Sequence, residues 1–475
     1  MKNDAMHTAV PLVVDLDGTL IHSDLLWEAL VVFLGRRFLQ IWLLPLWLLL
    51  GKAGFKAKLA AAVEIDPAAL PYDRALLAEI AVQRGLGRPI VLATASQRRF
   101  AESIAGHLQL FDRVLATEGG LNLAAGAKAQ RLVTLYGNKG FDYVGNASAD
   151  IPVWDCSRTA YSVARKPFQL ADGRSTQNAG SRRAGWAGAL LKSMRPRQWL
   201  KNVLVFVPML AGHAVSVANV THSLLAMLAF SLCASSAYLL NDALDAQNDR
   251  LHASKCRRPI AAGTLPLPVA MLVSPLLALL ALLLCARYNG VLLLVVTVYF
   301  VSTLCYSLYL KRLLMIDIVL LAILYTLRIL GGGAATRIAP SFWLLAFSFF
   351  IFLSLAMLKR HSELFTLLKH GEEKTRGRSY TTADQAPIGI MGINCGLLSI
   401  LVFMLYFNSD SVLILYKTPA ILLGIVPLLV FWLGRLWTLS FRGLVHEDPI
   451  LYVSKDPVSL AIIAACVALA LAASL

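Results

Sequence analysis

From residue 200 onward the chain is a succession of apolar runs about 20 residues long, separated by polar connections. The hydrocarbon core of a bilayer is crossed by about 20 residues of helix. Within it a segment must satisfy its own backbone hydrogen bonds, which leaves helices or closed barrels. Runs of this length select helices. They fall at roughly 200–218, 223–241, 266–286, 289–310, 313–331, 341–358, 388–407, 418–437 and 458–474, and predict an all-α polytopic membrane bundle of about nine transmembrane helices. Composition agrees, with 57% hydrophobic and 15% charged residues and a mean hydropathy of +0.65; soluble chains hold about 45–50% and about 25%. Residues 1–195 read instead as a soluble domain, so the chain divides between two solvents.

The formal net charge is +16. Nucleic acid is not the explanation, because the basic residues follow alternate connections between the runs. Arg250, Lys255, Arg257 and Arg258 lie in 242–265, Lys311 and Arg312 after 310, Lys359, Arg360, Lys369, Lys374, Arg376 and Arg378 in 359–387, and Arg442 and Lys455 in 438–457. Lys and Arg are retained on the cytoplasmic side. These loops and the N-terminal domain are therefore expected in the cytoplasm, at a bacterial-type inner membrane. The polar opening, Met1 to Val10, does not read as a secretory signal peptide. Seven scattered cysteines show neither a CxxC pair nor metal-ligand spacing, which argues against disulfides and zinc.

Near the amino end, Val10-Pro-Leu-Val-Val-Asp15-Leu-Asp17-Gly18-Thr19 is a buried-strand pattern ending in two carboxylates one residue apart. Residues two apart on a strand share a face, so Asp15 and Asp17 can converge on one reacting group. A second apolar strand, 89–93, ends in Thr94-Ala-Ser96, and a third, 141–144, ends in Gly145-Asn146 with Asp150 following. Strands with polar carboxyl ends, separated by helical stretches, describe an open α/β sheet with its site along that edge. The pattern over about 10–155 resembles the haloacid dehalogenase superfamily of phosphatases. The resemblance implies a Rossmannoid α/β domain with a small cap (about 22–88), Asp15 as nucleophile and Asp17 as general acid/base. It also implies Thr94 and Lys128 on the phosphoryl oxygens, and Mg²⁺ held by Asp15, Asp17 and Asp150. Asn146 stands where that family usually has Asp, which removes a charge from the metal loop. Inside the cap, Phe38 to Leu50 is apolar, carries Trp42 and Trp47, and lies between Arg36-Arg37 and Lys52, Lys56 and Lys58. Such a segment suits a membrane interface or an ordinary cap core.

The second carboxylate motif is Asn241-Asp242-x-x-Asp245-x-x-x-Asp249-Arg250. On a helix Asp242, Asp245 and Asp249 share one face, and three carboxylates there repel unless a cation sits among them. Ionised groups at a membrane edge are costly and usually functional, and oxygen ligands suit Mg²⁺ bridging to phosphate. With the basic Arg257-Arg258-Pro-Ile-Ala-Ala-Gly263 stretch that follows, the motif resembles the UbiA prenyltransferase superfamily. Arg195-Pro-Arg-Gln-Trp-Leu-Lys201-Asn202, Tyr306-Ser-Leu-Tyr-Leu-Lys311-Arg312, Leu327-Arg328-x-x-Gly331-Gly-Gly and Lys359-Arg360-His-Ser-Glu363-Leu are similar to its decaprenyl-phosphate phosphoribosyltransferase branch, over 195–475.

This resemblance implies Asp242 and Asp245 as catalytic residues and a metal set of Asn241, Asp242, Asp245 and Asp249. Lys201, Asn202, Arg258, Lys311, Arg328 and Lys359 would bind substrate, and Mg²⁺ would serve both domains. Glu363 is also placed to pair with Lys359 on a helix. The substrates implied are a polyprenyl phosphate lipid and phosphoribosyl diphosphate, a phosphorylated sugar diphosphate. The expected arrangement is a phosphatase domain at 1–165, a linker at 166–194 and a transmembrane transferase domain at 195–475, with an oligomer left open. In function, 5-phosphoribose would pass to the lipid phosphate, and the N-terminal domain would then remove the 5-phosphate. The alternative is transfer of a prenyl group from its diphosphate to an aromatic or other small acceptor. A membrane scaffold with vestigial sites is disfavoured by the clustered carboxylates.

Overall fold

A computed structural model describes residues 10–118, 123–179, 185–252, 254–371, 373–374, 378–406, 412, 415–445 and 448–475. It forms two compact units, one comprising residues 1–194 with 238–273 and the other 195–237 with 274–475. This differs from the linear division expected from sequence. The stretch carrying the Asp-rich motif packs with the N-terminal residues.

The first unit is built on an all-parallel sheet of strands β1 (Leu12–Val14), β2 (Ile90–Gln97), β3 (Arg113–Thr117), β4 (Asp142–Gly145), β5 (Ala160–Ser162) and β6 (Gln177–Asn178), in the order β3-β2-β1-β4-β5-β6. β1 is central, and its three residues are completely or almost completely buried, as a parallel strand covered on both faces requires. The sheet thus continues to Asn178, inside the stretch expected to be a linker, which also carries a helix at Trp186–Ser193. Between β1 and β2 lie α1 (Leu25–Arg36), α2 (Leu43–Leu48), α3 (Gly51–Ala62) and α4 (Arg74–Gly85), and α1, α3 and α4 share one core with the two strands. Asp24 caps α1 through the amides of Leu26 and Trp27, and Asp73 caps α4 through Ala75 and Leu76. α5 (Arg98–Leu108), α6 (Ala125–Tyr136) and α7 (Ile151–Cys156) complete the layers, and α8 is the Trp186–Ser193 helix.

Next come the short α9 (Val207–Ala211), then α10 (Val217–Leu244), α11 (Ala246–Arg250), α12 (Leu267–Tyr288), α13 (Gly290–Leu308), α14 (Ile316–Thr336), α15 (Phe342–Lys369), α16 (Gln385–Tyr406), α17 (Ile425–Phe441), the short α18 (Pro449–Val453) and α19 (Pro457–Ser474). Among the described residues eight helices are long and apolar enough to cross a membrane. The run expected at 200–218 differs. It folds as an 11-residue 3₁₀ segment, Pro196–Phe206, followed by α9. At about 2.0 Å per 3₁₀ residue and about 1.5 Å per α residue, the two together still reach roughly 30 Å, the thickness of a hydrocarbon core.

In the second unit this 3₁₀ segment lies against α14, and Gly331-Gly332-Gly333 explains how. A Cβ on Gly332 would collide with the Val205 backbone carbonyl, and one on Gly331 with the Phe230 ring. Small residues let helices approach in lipid, where apolar attraction alone does not drive packing. Gly332→Ala should therefore cost about 1–3 kcal/mol through overpacking, seen as a lower unfolding temperature of the full chain in nanodiscs. An unchanged temperature would refute the close approach.

Candidate active sites

The first carboxylate pair sits at the carboxyl end of β1. Asp15 accepts from Lys128 Nζ at 2.6 Å and from Thr19 Oγ1 at 3.2 Å. Lys128 also donates to Tyr143 Oη at 3.0 Å, and Tyr143 donates to Asp150 Oδ1 at 2.9 Å. The other Asp150 oxygen accepts the amides of Asn146 and Ala147 at 3.0 and 3.2 Å, which closes the loop after β4. Asp17 accepts from Leu25 N at 2.8 Å, Thr94 Oγ1 at 3.2 Å and Ser96 Oγ at 2.5 Å. Gly18 has φ +74°, and a Cβ there would strike the Asn146 amide group. The ends of β1, β2 and β4 therefore converge as expected, bringing Asp15, Asp17, Thr94, Lys128 and Asp150 into one cluster. Thr94 bonds Asp17 here, and Lys128 bonds Asp15.

Sequence reasoning assigned no role to Ser96 or Tyr143. Ser96 carried a signal, since it follows Thr94 by two residues and so shares its face of the strand. Tyr143 looked like an ordinary core aromatic. Burial pushes the Asp15 carboxyl up to about 6, opposed by Lys128 and reinforced by the Asp150 and Asp17 carboxylates. Asp17 is also raised, by burial and then by Asp24. Buried carboxylates that repel one another are what a divalent cation relieves, and their oxygens suit Mg²⁺.

The Asp-rich motif follows α10. That helix ends at Leu244 and α11 begins at Ala246, but the Asp245 and Asp249 amides still reach the carbonyls of Asn241 and Asp245 at 2.9 and 2.8 Å. The helical spacing of the carboxylates is thus kept through the turn. Asp242 and Asp249 are buried and accept from the same nitrogen, Arg258 Nη1, at 3.1 and 2.7 Å. Asn241 and Asp245 are only partly buried. Burial raises the Asp249 carboxyl, opposed by Arg258 and reinforced by Asp242. Among the described residues no group of three or more acidic, His or Cys side chains is gathered tightly enough for a metal. The guanidinium nitrogen supplies the positive charge where two carboxylates converge.

Arg250, the last residue of the motif, does something different. It makes a bidentate pair with Glu28, Nη2 to Oε1 at 2.6 Å and Nη1 to Oε2 at 3.0 Å, and donates to the carbonyls of Ala69 and Ala261 at 3.0 Å each. Ser23 Oγ completes the Glu28 shell at 2.6 Å. Gly263 packs on His22 so closely that a Cβ would overlap it. The Asp-rich turn is thereby clamped to α1 and the segment before it. Glu28 was missed because an acidic residue in the first turn of a helix reads as a dipole partner.

In the second unit, Lys201 Nζ and Lys359 Nζ share Asp448 Oδ2 at 2.7 and 3.2 Å. Burial pushes the Asp448 carboxyl up, but Lys359 and Lys201 outweigh it and hold the group well below the usual range. Asp448 also caps α18 ahead of Pro449, the one sequence signal it gave. Lys201 lies 5.6 Å from the centre of the Tyr325 ring, and the Arg328 guanidinium lies 5.2 Å from it. Arg328 donates to Asn202 Oδ1 at 2.8 Å, to the Leu324 carbonyl at 2.5 Å and to Tyr299 Oη at 2.9 Å. Asn202 in turn donates to Ser231 Oγ at 2.9 Å. The structure thus brings Lys201, Asn202, Arg328 and Lys359 around Tyr325 and Asp448, while Lys311 lies on the turn Leu310–Arg312. Glu363 pairs with Arg360 and Arg378, whereas Lys359 takes Asp448 in place of the expected Glu363. Buried Asp317 bonds Arg360 and Tyr380 Oη at 2.5 Å each.

Residues 204–474, more than half of the chain, match the model of the UbiA prenyltransferase family. The chain belongs to the UbiA prenyltransferase family. It is a multi-pass membrane protein of that enzyme superfamily, fused to a haloacid dehalogenase-like hydrolase domain matched at residues 12–153. A Sinorhizobium fredii protein described as uncharacterized y4nM is 34% identical over 472 residues, covering 96% of this chain and 89% of that protein. The decaprenyl-phosphate phosphoribosyltransferase of Mycolicibacterium smegmatis is 36% identical over 200 residues, 41% of this chain and 63% of that enzyme. A UbiA homolog from Archaeoglobus fulgidus, solved with GPP and Mg²⁺, aligns at a TM-score of 0.46 with 16% identity, covering 59% of this UbiA family chain and 99% of that one.

The clamp yields a test. Removing one member of a buried ion pair costs about 3–5 kcal/mol, and replacing both with apolar groups costs far less. Glu28→Gln and Arg250→Met should each lower the unfolding temperature of the full chain. The double variant should lose much less than the two losses combined. Additive losses would show that the pair is not coupled.

Proposed function

We propose that this protein transfers 5-phosphoribose from phosphoribosyl diphosphate to a polyprenyl phosphate, and that its N-terminal domain then removes the 5-phosphate to leave polyprenyl-phosphoryl ribose. The observation that carries this reading is the cation set around Tyr325. Lys201 and Lys359 both bond Asp448, and Lys201 and Arg328 both lie over the Tyr325 ring. The partners of Arg328 among the described residues are neutral, so its charge is left for an anion. A reaction joining a lipid phosphate to a sugar bearing its own 5-phosphate presents two such anions besides the leaving diphosphate. Similarity to an enzyme named for phosphoribosyl transfer to decaprenyl phosphate supports the same substrates.

In the transfer step a lipid phosphate oxygen attacks C1 of the ribose as the C1–O bond to diphosphate breaks, and diphosphate leaves with the bonding pair. Lys201, Arg328 and Lys359 bind the phosphates that stay, with Asn202 orienting Arg328. Asp242, Asp245, Asp249 and Asn241, with Arg258, serve the leaving diphosphate. In the second step an Asp15 oxygen attacks phosphorus and the bond to ribose O5 breaks while Asp17 gives its proton to that oxygen. Water then attacks the aspartyl-phosphate, Asp17 takes the proton, and inorganic phosphate is released. The raised Asp17 carboxyl suits a group that must hold a proton. Lys128 holds Asp15 and meets the phosphoryl oxygens. The carboxylates of each motif would hold Mg²⁺, which when bound would supply positive charge to the phosphates.

Both reactions are assigned to the cytoplasmic side of a bacterial-type inner membrane, where the basic loops belong by the positive-inside rule. The test is mass spectrometry of the lipid product from purified protein, labelled phosphoribosyl diphosphate and polyprenyl phosphate. The wild type should give a lipid-linked pentose, Asp15→Asn a lipid-linked pentose phosphate, and Asp242→Ala neither. Absence of lipid-soluble label from folded wild-type protein overturns the transfer reading. A prenylated small acceptor formed from prenyl diphosphate would establish the alternative.

A further inference from the structure

The segment 38–50 gathers exposed apolar residues of the N-terminal domain that the chemistry above does not use. Leu39 is 89% exposed, Leu49 83%, Trp42 61%, Leu48 59%, Leu50 57% and Leu46 50%. The exposure is one-sided. Leu44 and Trp47 pack on the cap core, with the Trp47 ring 5.3 Å from Phe33. The segment is therefore held in place while its other side faces outward.

Its surroundings are basic. Arg36, Arg37 and Lys58 are exposed, and Lys52 and Lys56 lie in the same stretch. From Ala29 to Val63 the sequence contains no acidic residue. Exposed Leu and Trp flanked in sequence by exposed Arg36, Arg37 and Lys58 suit the interface of an anionic bilayer. An apolar patch of this kind on a soluble face would otherwise be a liability. Among the described residues eight helices are long and apolar enough to cross a bilayer, so a membrane is at hand.

The segment is also coupled to the phosphatase site. α3 follows it directly, and Lys56 Nζ donates to the Ala95 carbonyl at 3.3 Å. Ala95 lies between Thr94 and Ser96, the two hydroxyl residues that hold Asp17.

We propose that residues 37–50 form a membrane foot of the phosphatase domain, seated in the interface of an anionic bilayer, which brings a lipid-borne phosphate monoester to Asp15. The surface assignment stands on exposure and charge, and the substrate assignment rests on the phosphatase reading above.

The test uses the full chain in nanodiscs of phosphatidylcholine, with and without phosphatidylglycerol, holding nitroxide-labelled lipids. The Trp42 signal is the difference from Trp42→Phe. Quenching by a nitroxide near the headgroups, stronger with phosphatidylglycerol, is expected. A Trp42 shielded from aqueous acrylamide yet untouched by the nitroxides is covered by protein, and overturns the foot. So does a Trp42 fully open to acrylamide. Leu46→Glu with Leu49→Glu should slow hydrolysis of a lipid-linked phosphate monoester roughly tenfold or more by removing interfacial apolar area, while hydrolysis of a soluble aryl phosphate is unchanged. Equal slowing of both substrates overturns the delivery role. If the wild type hydrolyses neither substrate, the phosphatase reading fails, and the quenching still decides the foot.

Discussion

A charge in an apolar bundle needs a partner, and the second unit is organised by how each charge finds one. An ion taken from water into a protein interior costs several kcal/mol unless it is paired and hydrogen-bonded. Asp317 takes Arg360 and Tyr380, and Glu363 takes Arg360 and Arg378. Lys201 and Lys359 share Asp448, although 247 residues separate Lys201 from it in the chain. Apolar side chains gain little by leaving lipid for each other, so polar pairs and close backbone contact must fix the packing. The pairs tie together segments remote in sequence, and Gly332 brings the 3₁₀ segment against α14. Arg328 departs from this pattern, having neutral partners among the described residues. Its guanidinium is held instead by Asn202, Tyr299 and the Leu324 carbonyl and lies over Tyr325.

The same constraint produces a different result in the first unit. Asp15, Asp17 and Asp150 are carried by strand ends whose buried residues fix the register, so the fold forces like charges together. Lys128 and Tyr143 offset part of the repulsion, and the hydroxyls of Thr94 and Ser96 hold Asp17. Asp15 nevertheless stays raised to about 6, chiefly by burial. The strand ends therefore hold these carboxylates together in spite of their repulsion.

The sequence made the α/β edge legible because strand period, two-residue carboxylate spacing and the Gly18 turn are local. Asp15 and Asp17 were legible for that reason, whereas the places of Thr94, Lys128 and Asp150 were implied by the resemblance to the haloacid dehalogenase superfamily. The apolar runs were equally legible, except at 200–218. There Lys201, Asn202 and Pro208 interrupt a run whose average hydropathy conceals them, and a 3₁₀ segment opened by Pro196 forms. Partners remote in the chain were not legible. Nothing local to Glu28 names Arg250, and nothing near Asp448 names Lys201. The Lys359–Glu363 expectation used helix spacing alone. It failed because Arg360 and Arg378 claim Glu363 and leave Lys359 to Asp448.

The two arginines that flank the Asp-rich turn show how geometry separates support from chemistry. Both carry the same charge and both meet carboxylates. Arg250 commits three nitrogens to four bonds, two to Glu28 and two to carbonyls, and its side chain is 7% exposed. Releasing it would leave a buried carboxylate and two carbonyls unsatisfied, so it cannot turn toward a substrate. Arg258 meets Asp242 and Asp249 with one shared nitrogen and is 28% exposed. Arg250 therefore holds the turn against Glu28, while Arg258 balances the Asp242 and Asp249 carboxylates through a single nitrogen. A motif read from sequence as one carboxylate face thus divides into an anchor and a charge-balanced pair, and the anchor explains why this stretch folds with the N-terminal unit.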